Sequence, residues 1–263
     1  MAATAEELTG NALAREPVYV YGTDLGGNQQ GEAATLAVQV YGAASRHPSG
    51  PSGHAYAIPW AGSTRQRLEL PALRNYVRTF CDYARERSDA SFHVSRFGCG
   101  PDGHGDKVLA GLFVGAPANC LLPGLWSAVL DVRQPVRLLV FDPGAHLGDS
   151  TWQRRLEQFL ALNAPLWGAS AVELVSVGHA RTLVANDAAA RALGLTHRII
   201  AADAAVYGRH AATVAEHKAI GYATRMLCII DFDQTAQSHQ VRMMGAATRN
   251  GLPIDQVDSA GDD

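Results

Sequence analysis

Two glycine-punctuated turns hold most of the residues whose types and spacing suit chemistry. The first carries Gly22, Gly26, Gly27 and Gly31 around Asp24. Glycines there let backbone N–H groups come close to a ligand, and a helix that follows would aim its positive end at an anion. Asp24 and Glu32 put negative charge in the same place, so a ribose hydroxyl held by Asp24 fits this turn at least as well as a phosphate. The second turn alternates Gly98, Gly100, Gly103 and Gly105 with Cys99, Asp102, His104 and Asp106. His104 beside Asp102 or Asp106 has the composition of an acid–base pair, and Cys99 that of a thiol near helix amides. The spacing lacks a third fixed ligand for a metal ion, and no metal or cofactor is expected. Further along, Gly178, His179, Arg181, Arg209 and His210 fall on expected strand ends, where positive groups suit a phosphate or carboxylate. Asp231 and Asp233 form a second candidate acid–base pair, or simply a solvated turn.

The elements that must position these residues follow from pattern. Residues 18–21 read as a strand that breaks into the first glycine turn, with a helix over 32–41, a strand over 54–58 ending at Pro59, and an amphipathic helix over 71–87. A strand over 92–97 leads into the second turn and a helix over 107–114, and the first domain closes near Trp126. Polar residues 131–135 read as a linker. Strands at 136–141, 172–177, 197–200 and 226–230 then alternate with helices at 151–162, 183–193, 213–223 and 238–250, and a short strand lies near Ile254. Regular βα repetition implies a doubly wound parallel sheet with its ligand crevice at the carboxyl ends of the strands. The expected organisation is a polar segment 1–16, an α/β domain 17–130, a Rossmann-like domain 136–257 and an acidic tail 258–263; residues 255–263 read as frayed.

Composition narrows the function classes. The 263 residues are 47% hydrophobic and 18% charged, with a formal net charge of -3. That balance supports packed cores and gives no field to draw polymeric nucleic acid or an anionic membrane. No apolar run approaches the roughly 20 residues needed to cross a bilayer, and the N-terminus lacks a basic-then-apolar signal, so a cytoplasmic location is expected. Cys81, Cys99, Cys120 and Cys228 lack CxxC spacing and are expected to be reduced.

Six stretches of the first half carry a resemblance. They are Tyr21-Gly22-Thr23-Asp24-Leu25-Gly26, Gly31-Glu32-Ala33-Ala34, Tyr41-Gly42-Ala43, His54-Ala55-Tyr56-Ala57-Ile58-Pro59, Phe97-Gly98-Cys99-Gly100 and residues 119–126 from Asn119 to Trp126. In order and spacing, residues 18–126 resemble a phage-associated, largely uncharacterised family whose pattern is similar to a macrodomain, the ADP-ribose-binding fold. The resemblance implies a three-layer macro-like domain, with the first turn as ligand loop and the second as phosphate loop. In the second half, Val177-Gly178-His179-Ala180-Arg181 and Tyr207-Gly208-Arg209 resemble the SLOG superfamily, Rossmann-like domains that bind nucleotides. Some SLOG members release a base from a nucleoside monophosphate. Their Pro-Gly-Gly-x-Gly-Thr loop is replaced here by Asp231-Phe232-Asp233-Gln234-Thr235.

Two functions follow as expectations. One is hydrolysis of a glycosidic or ester bond in an ADP-ribose-like or NAD-derived nucleotide, with Asp24 as polarising base, His104 as a second catalytic candidate and the second turn as oxyanion or phosphate holder. The other is a non-catalytic nucleotide sensor of a phage- or defence-related system, in which binding shifts the pose of the two domains or of a homodimer.

Overall fold

The computed structural model describes residues 17–28, 31–142, 152–167, 171–230 and 234–258. The chain divides into two compact units, one spanning Arg15–Val132 and the other containing Arg133–Asp263. Each is α/β and built on a five-stranded, mostly parallel sheet.

In the first unit the strands are β1 (Val18–Asp24), β2 (Gly50–Ser52), β3 (Ala55–Ala61), β4 (Phe92–Val94) and β5 (Cys120–Leu121), in the order β2-β3-β1-β4-β5. Only β2 runs antiparallel, against Ala55–Ala57 of β3. The central strand β1 is buried on both faces. Val20 joins a core of Ile58, Leu73, Val77, Phe80, Phe92, Phe113 and Trp126, whereas Tyr19 and Tyr21 pack with Ala34, Ala37, Ala55 and Ala57. Double-sided burial is why the strand reads as an apolar run rather than an alternation. Among the described residues the helices that accompany the sheet are α1 (Glu32–Gln39), α2 (Leu70–Arg85), α3 (Asp106–Leu112) and α4 (Gly124–Val129). In α2, Pro71 occupies the first turn, where its missing N–H costs nothing, and Leu73, Val77, Phe80, Cys81 and Ala84 form the buried stripe. The Asn119 amide lies 2.9–3.0 Å from the carbonyls of Ala84, Arg87 and Ala90, tying the end of α2 to the start of β5.

Several boundaries differ from the pattern-based expectation. Strand β3 continues through Pro59 to Ala61, because the β2 pairing stops at Ala57 and the next bridge on that side comes only at Ala61, opposite Arg67, so Pro59 falls where no outer N–H is needed. The stretch between the expected helix over 32–41 and the expected strand over 54–58 contains β2. Strand β4 ends at Val94 rather than Phe97, and the Ser95 N–H makes the last bond to β1, to the Val20 carbonyl. Helix α3 starts at Asp106 and ends at Leu112.

The second unit is parallel throughout, with β6 (Val136–Phe141), β7 (Val172–Ser176), β8 (Thr196–Ile199), β9 (Arg225–Ile230) and β10 (Ile254–Asp258) in the order β10-β9-β6-β7-β8. The connecting helices are α5 (Trp152–Asn163), α6 (Ala180–Leu193), the short α7 (Ala204–Tyr207), α8 (Ala211–Tyr222) and α9 (Gln234–Arg249). Leu138, Val140, Leu174, Leu227 and Ile229 face α5 and α6 through Trp152, Leu156, Leu160, Ala189 and Ala190. The intervening residues Arg137, Phe141 and Glu173 reach α8 and α9. Residues 255–258, expected to fray, instead complete β10 against Leu227–Ile230 of β9. No helix among the described residues is long and apolar enough to cross a membrane.

Candidate functional site

The first turn is organised by Asp24 itself. Its Oδ1 accepts the backbone N–H groups of Gly26 (2.8 Å) and Asn28 (2.9 Å), and Oδ2 accepts the Asn28 side-chain amide at 2.8 Å. The residue is 7% exposed. Both oxygens are therefore engaged within the turn, a geometry that holds the loop and leaves little of the carboxylate for a substrate proton. A Cβ on Gly22 would stand 2.3 Å from Phe97 Cβ, and one on Gly27, at φ +70°, would stand 2.4 Å from the Arg46 carbonyl carbon. These two glycines are filled in by neighbours, while Gly26 faces Asn28 and Asp24 and Gly31, with φ +101°, looks onto open space.

The second turn shows the same division. His104 N–H bonds the Gly98 carbonyl and Gly103 N–H bonds the Gly100 carbonyl. Gly98 lies against the Trp60 indole, a Cβ on Gly103 would meet the Gly98 oxygen at 2.0 Å, and Gly100 is open. Among the described residues His104 pairs with no acid: its Nε2 lies 2.9 Å from the Leu68 carbonyl, which makes that nitrogen the donor. Asp102 is exposed. Asp106 instead accepts a two-pronged contact from Arg96, Nε to Oδ1 at 2.8 Å and Nη2 to Oδ2 at 2.7 Å, plus Trp126 Nε1 at 2.8 Å. The hydrogen bond from Arg96 is the chief reason its carboxyl stays ionised far below the usual range. Cys99 donates to Asp106 Oδ1 at 3.1 Å. Burial, then the Asp106 carboxylate, pushes its thiol up to about 12. A thiol so held is protonated at neutral pH and is a poor nucleophile.

In the second unit, Gly178, His179, Arg181, Arg209 and His210 are all exposed. Gly178, with φ +103° and open space beside it, breaks β7 away from α6. His179 is the N-cap of α6 and Arg181 sits in its first turn. Arg209 donates to His210 Nε2 at 3.2 Å in the turn after α7. Asp231 and Asp233 lie outside the described residues.

Three groupings escape a reading of the sequence. Asp142, buried directly after β6, accepts Thr182 Oγ1 at 3.0 Å and so places a carboxylate by the amino end of α6. Glu216 on α8 takes His239 Nε2 at 2.7 Å and Arg242 at 3.3 Å from α9, and the His239 ring stands edge-on to Phe141. The third is a buried chain: Trp152 Nε1 donates to Asn186 Oδ1 (2.9 Å) and Asn186 Nδ2 to Ser176 Oγ (2.9 Å). Ser176 contacts His197 Nε2 (2.9 Å), and His197 Nδ1 faces Asp187 (3.3 Å). The Asp187 contact fixes the proton on Nδ1, so Ser176 donates to Nε2 and every bond runs in one direction. This is the residue set of a serine hydrolase, but Ser176 is 0% exposed and its oxygen already accepts Asn186. It wires α5, α6, β7 and β8 together. Each grouping needs the pairing of separate elements, which spacing does not disclose; only the place of Asp142 at the end of a strand is a local signal.

Among the described residues no three His, Cys, Asp or Glu side chains converge on a metal site. No family model, curated protein or solved structure matches the chain.

Proposed function

We propose that the protein is a non-catalytic binder of a nucleotide-type small molecule, of the ADP-ribose or NAD-derived class, taken up at the carboxyl edge of the second sheet. The observation that carries this reading is the strand order. It reverses between β6 and β9, the place where open parallel sheets of this kind hold their ligands. Around that edge lie the open backbone at Gly178, the amino end of the 14-residue α6 with His179 and Arg181, and the Asp142–Thr182 pair. The cations suit a phosphate, and a buried carboxylate suits a ribose hydroxyl. The likeness to SLOG domains agrees in layout. The sequence resemblance of the first half to a macrodomain also points to a nucleotide, but Asp24, His104 and Cys99 are committed to backbone or to neighbouring side chains, which favours binding over hydrolysis.

Isothermal titration with ADP-ribose, NAD and nucleoside monophosphates, with mass spectrometry of the mixtures, tests it. Saturable heat with unchanged ligand, weakened at least tenfold by Arg181→Glu, supports binding at this edge. Product formation abolished by Asp24→Asn or His104→Ala selects hydrolysis in the first unit. Absence of heat with every nucleotide refutes both.

A further inference from the structure

At the opposite, amino-terminal edge of the second sheet stands a buried arginine whose charge is only partly answered. Arg137, the second residue of β6, is 1% exposed. Its Nε donates to the Tyr222 carbonyl at the end of α8, at 2.6 Å. Among the described residues, Nη1 and Nη2 are buried without a hydrogen-bond partner. Together they carry four N–H donors, and burying an ion with unanswered donors is costly.

The neighbouring groups do not supply the missing acceptor. Glu173 is in register with Arg137 on β7, yet its Oε1 takes Arg198 Nε at 3.1 Å and its Oε2 takes the Tyr222 hydroxyl at 2.7 Å. The Tyr222 ring lies 5.1 Å from the Arg137 guanidinium and 4.7 Å from that of Arg198. Two cations thus share one carboxylate. Arg225, on the other face of the sheet edge, has its own acid in Asp255 at 3.2 Å.

We propose that this edge is a binding site for a small oxoanion, a carboxylate or phosphate group, held on the Nη1–Nη2 fork of Arg137 with Arg198 as second cation. A planar fork with two parallel donors matches two oxygens of such a group. The side chains of Arg198 and Glu173 are 26% and 17% exposed, so the cluster reaches solvent on their side. The Tyr222 carbonyl at the end of α8 holds the guanidinium in place from behind. This site lies at the other end of the strands from the proposed nucleotide edge and does not depend on that reading.

The test is calorimetric melting of the full chain in inorganic phosphate, acetate or chloride at equal ionic strength. The proteins are the parent, Arg137→Met and Arg198→Met. For a millimolar site, ~20 mM phosphate raises the second unit's transition by about 5 °C over chloride in the parent. The gain vanishes in Arg137→Met and shrinks in Arg198→Met. A larger gain with phosphate than with acetate assigns a phosphate group, and the reverse assigns a carboxylate. If Arg137→Met does not fold, phosphorus NMR of the parent and Arg198→Met decides: saturable broadening weakened at least fivefold by the substitution supports the site. Equal melting in all three salts, an equal gain in parent and Arg137→Met, or unsaturable broadening means an adventitious ion only and overturns the proposal.

Discussion

The role of Asp24 can be decided by comparing two substitutions that remove the same charge. In Asp24→Ala all three hydrogen bonds to Gly26, Asn28 N–H and the Asn28 amide disappear. Hydrogen bonds to a charged acceptor are worth about 1.5–3 kcal/mol each, but three on one partly buried turn are far from additive, and about 3 kcal/mol in total is a reasonable expectation. With ~2.1 cal/mol/K of unfolding entropy per residue, a unit spanning Arg15–Val132 loses ~12 °C of melting temperature. Asp24→Asn keeps the Oδ1 acceptor for both backbone donors. It sets its new amide against the Asn28 amide, a conflict that a flip of Asn28 removes, so the expected cost is below ~1 kcal/mol, or ~4 °C. Differential scanning calorimetry reads the shift, and hydrogen exchange localises it: the Gly26 and Asn28 amides lose protection in the alanine variant and keep it in the asparagine variant. If the two variants melt together, within 2 °C of the parent, Asp24 does not organise the turn and its carboxylate is free for another task.

Three further outcomes follow from the same geometry. Burial, with Asp187 opposing it, lowers the pKa of His197, so the folded state takes up a proton less readily than the unfolded chain. The stabilisation is complete above the unfolded value of about 6.5 and is lost as pH falls toward the lower folded value. The melting temperature between pH 7.5 and 5 therefore falls more steeply in the parent than in His197→Gln, and parallel slopes would contradict the wiring. Cys99 resists iodoacetamide at pH 8 despite partial exposure, and Asp106→Asn speeds its alkylation severalfold by withdrawing the charge that keeps the thiol protonated, as followed by peptide mass spectrometry. Gly103→Ala forces a Cβ onto the Gly98 carbonyl and lowers stability by ~2–3 kcal/mol, whereas Gly100→Ala, with open space, changes it by less than ~0.5 kcal/mol; denaturant titration separates them.

Much of the scaffold was legible because its signals are local. The βα alternation of the second half, the apolar stripe of α2 and the glycine breaks after β1 and β7 are properties of neighbouring residues. What escaped depends on partners far along the chain. Strand β2 is three residues long and exists only through its pairing with β3, and the passage of β3 through Pro59 depends on where β2 stops. The candidate site follows the same rule. Glycine turns can be found by composition, but whether a turn is open, as at Gly100, or filled, as Gly22 is by Phe97, depends on a residue 75 positions later. Asp106 and His104 stood close enough in sequence to read as a pair, yet Arg96 and Trp126 claim the acid and Leu68 claims the imidazole.

The contact between Trp126 and Asp106 fixes how the first unit can be produced alone. The indole N–H caps the acid at the head of α3, and its ring packs edge-on to Phe97 and tilted against Phe113. A fragment cut shortly after β5 would keep every strand of the sheet and still lose the plug beneath the second turn. Expression boundaries for a stand-alone N-terminal half therefore belong beyond Val129, the end of α4.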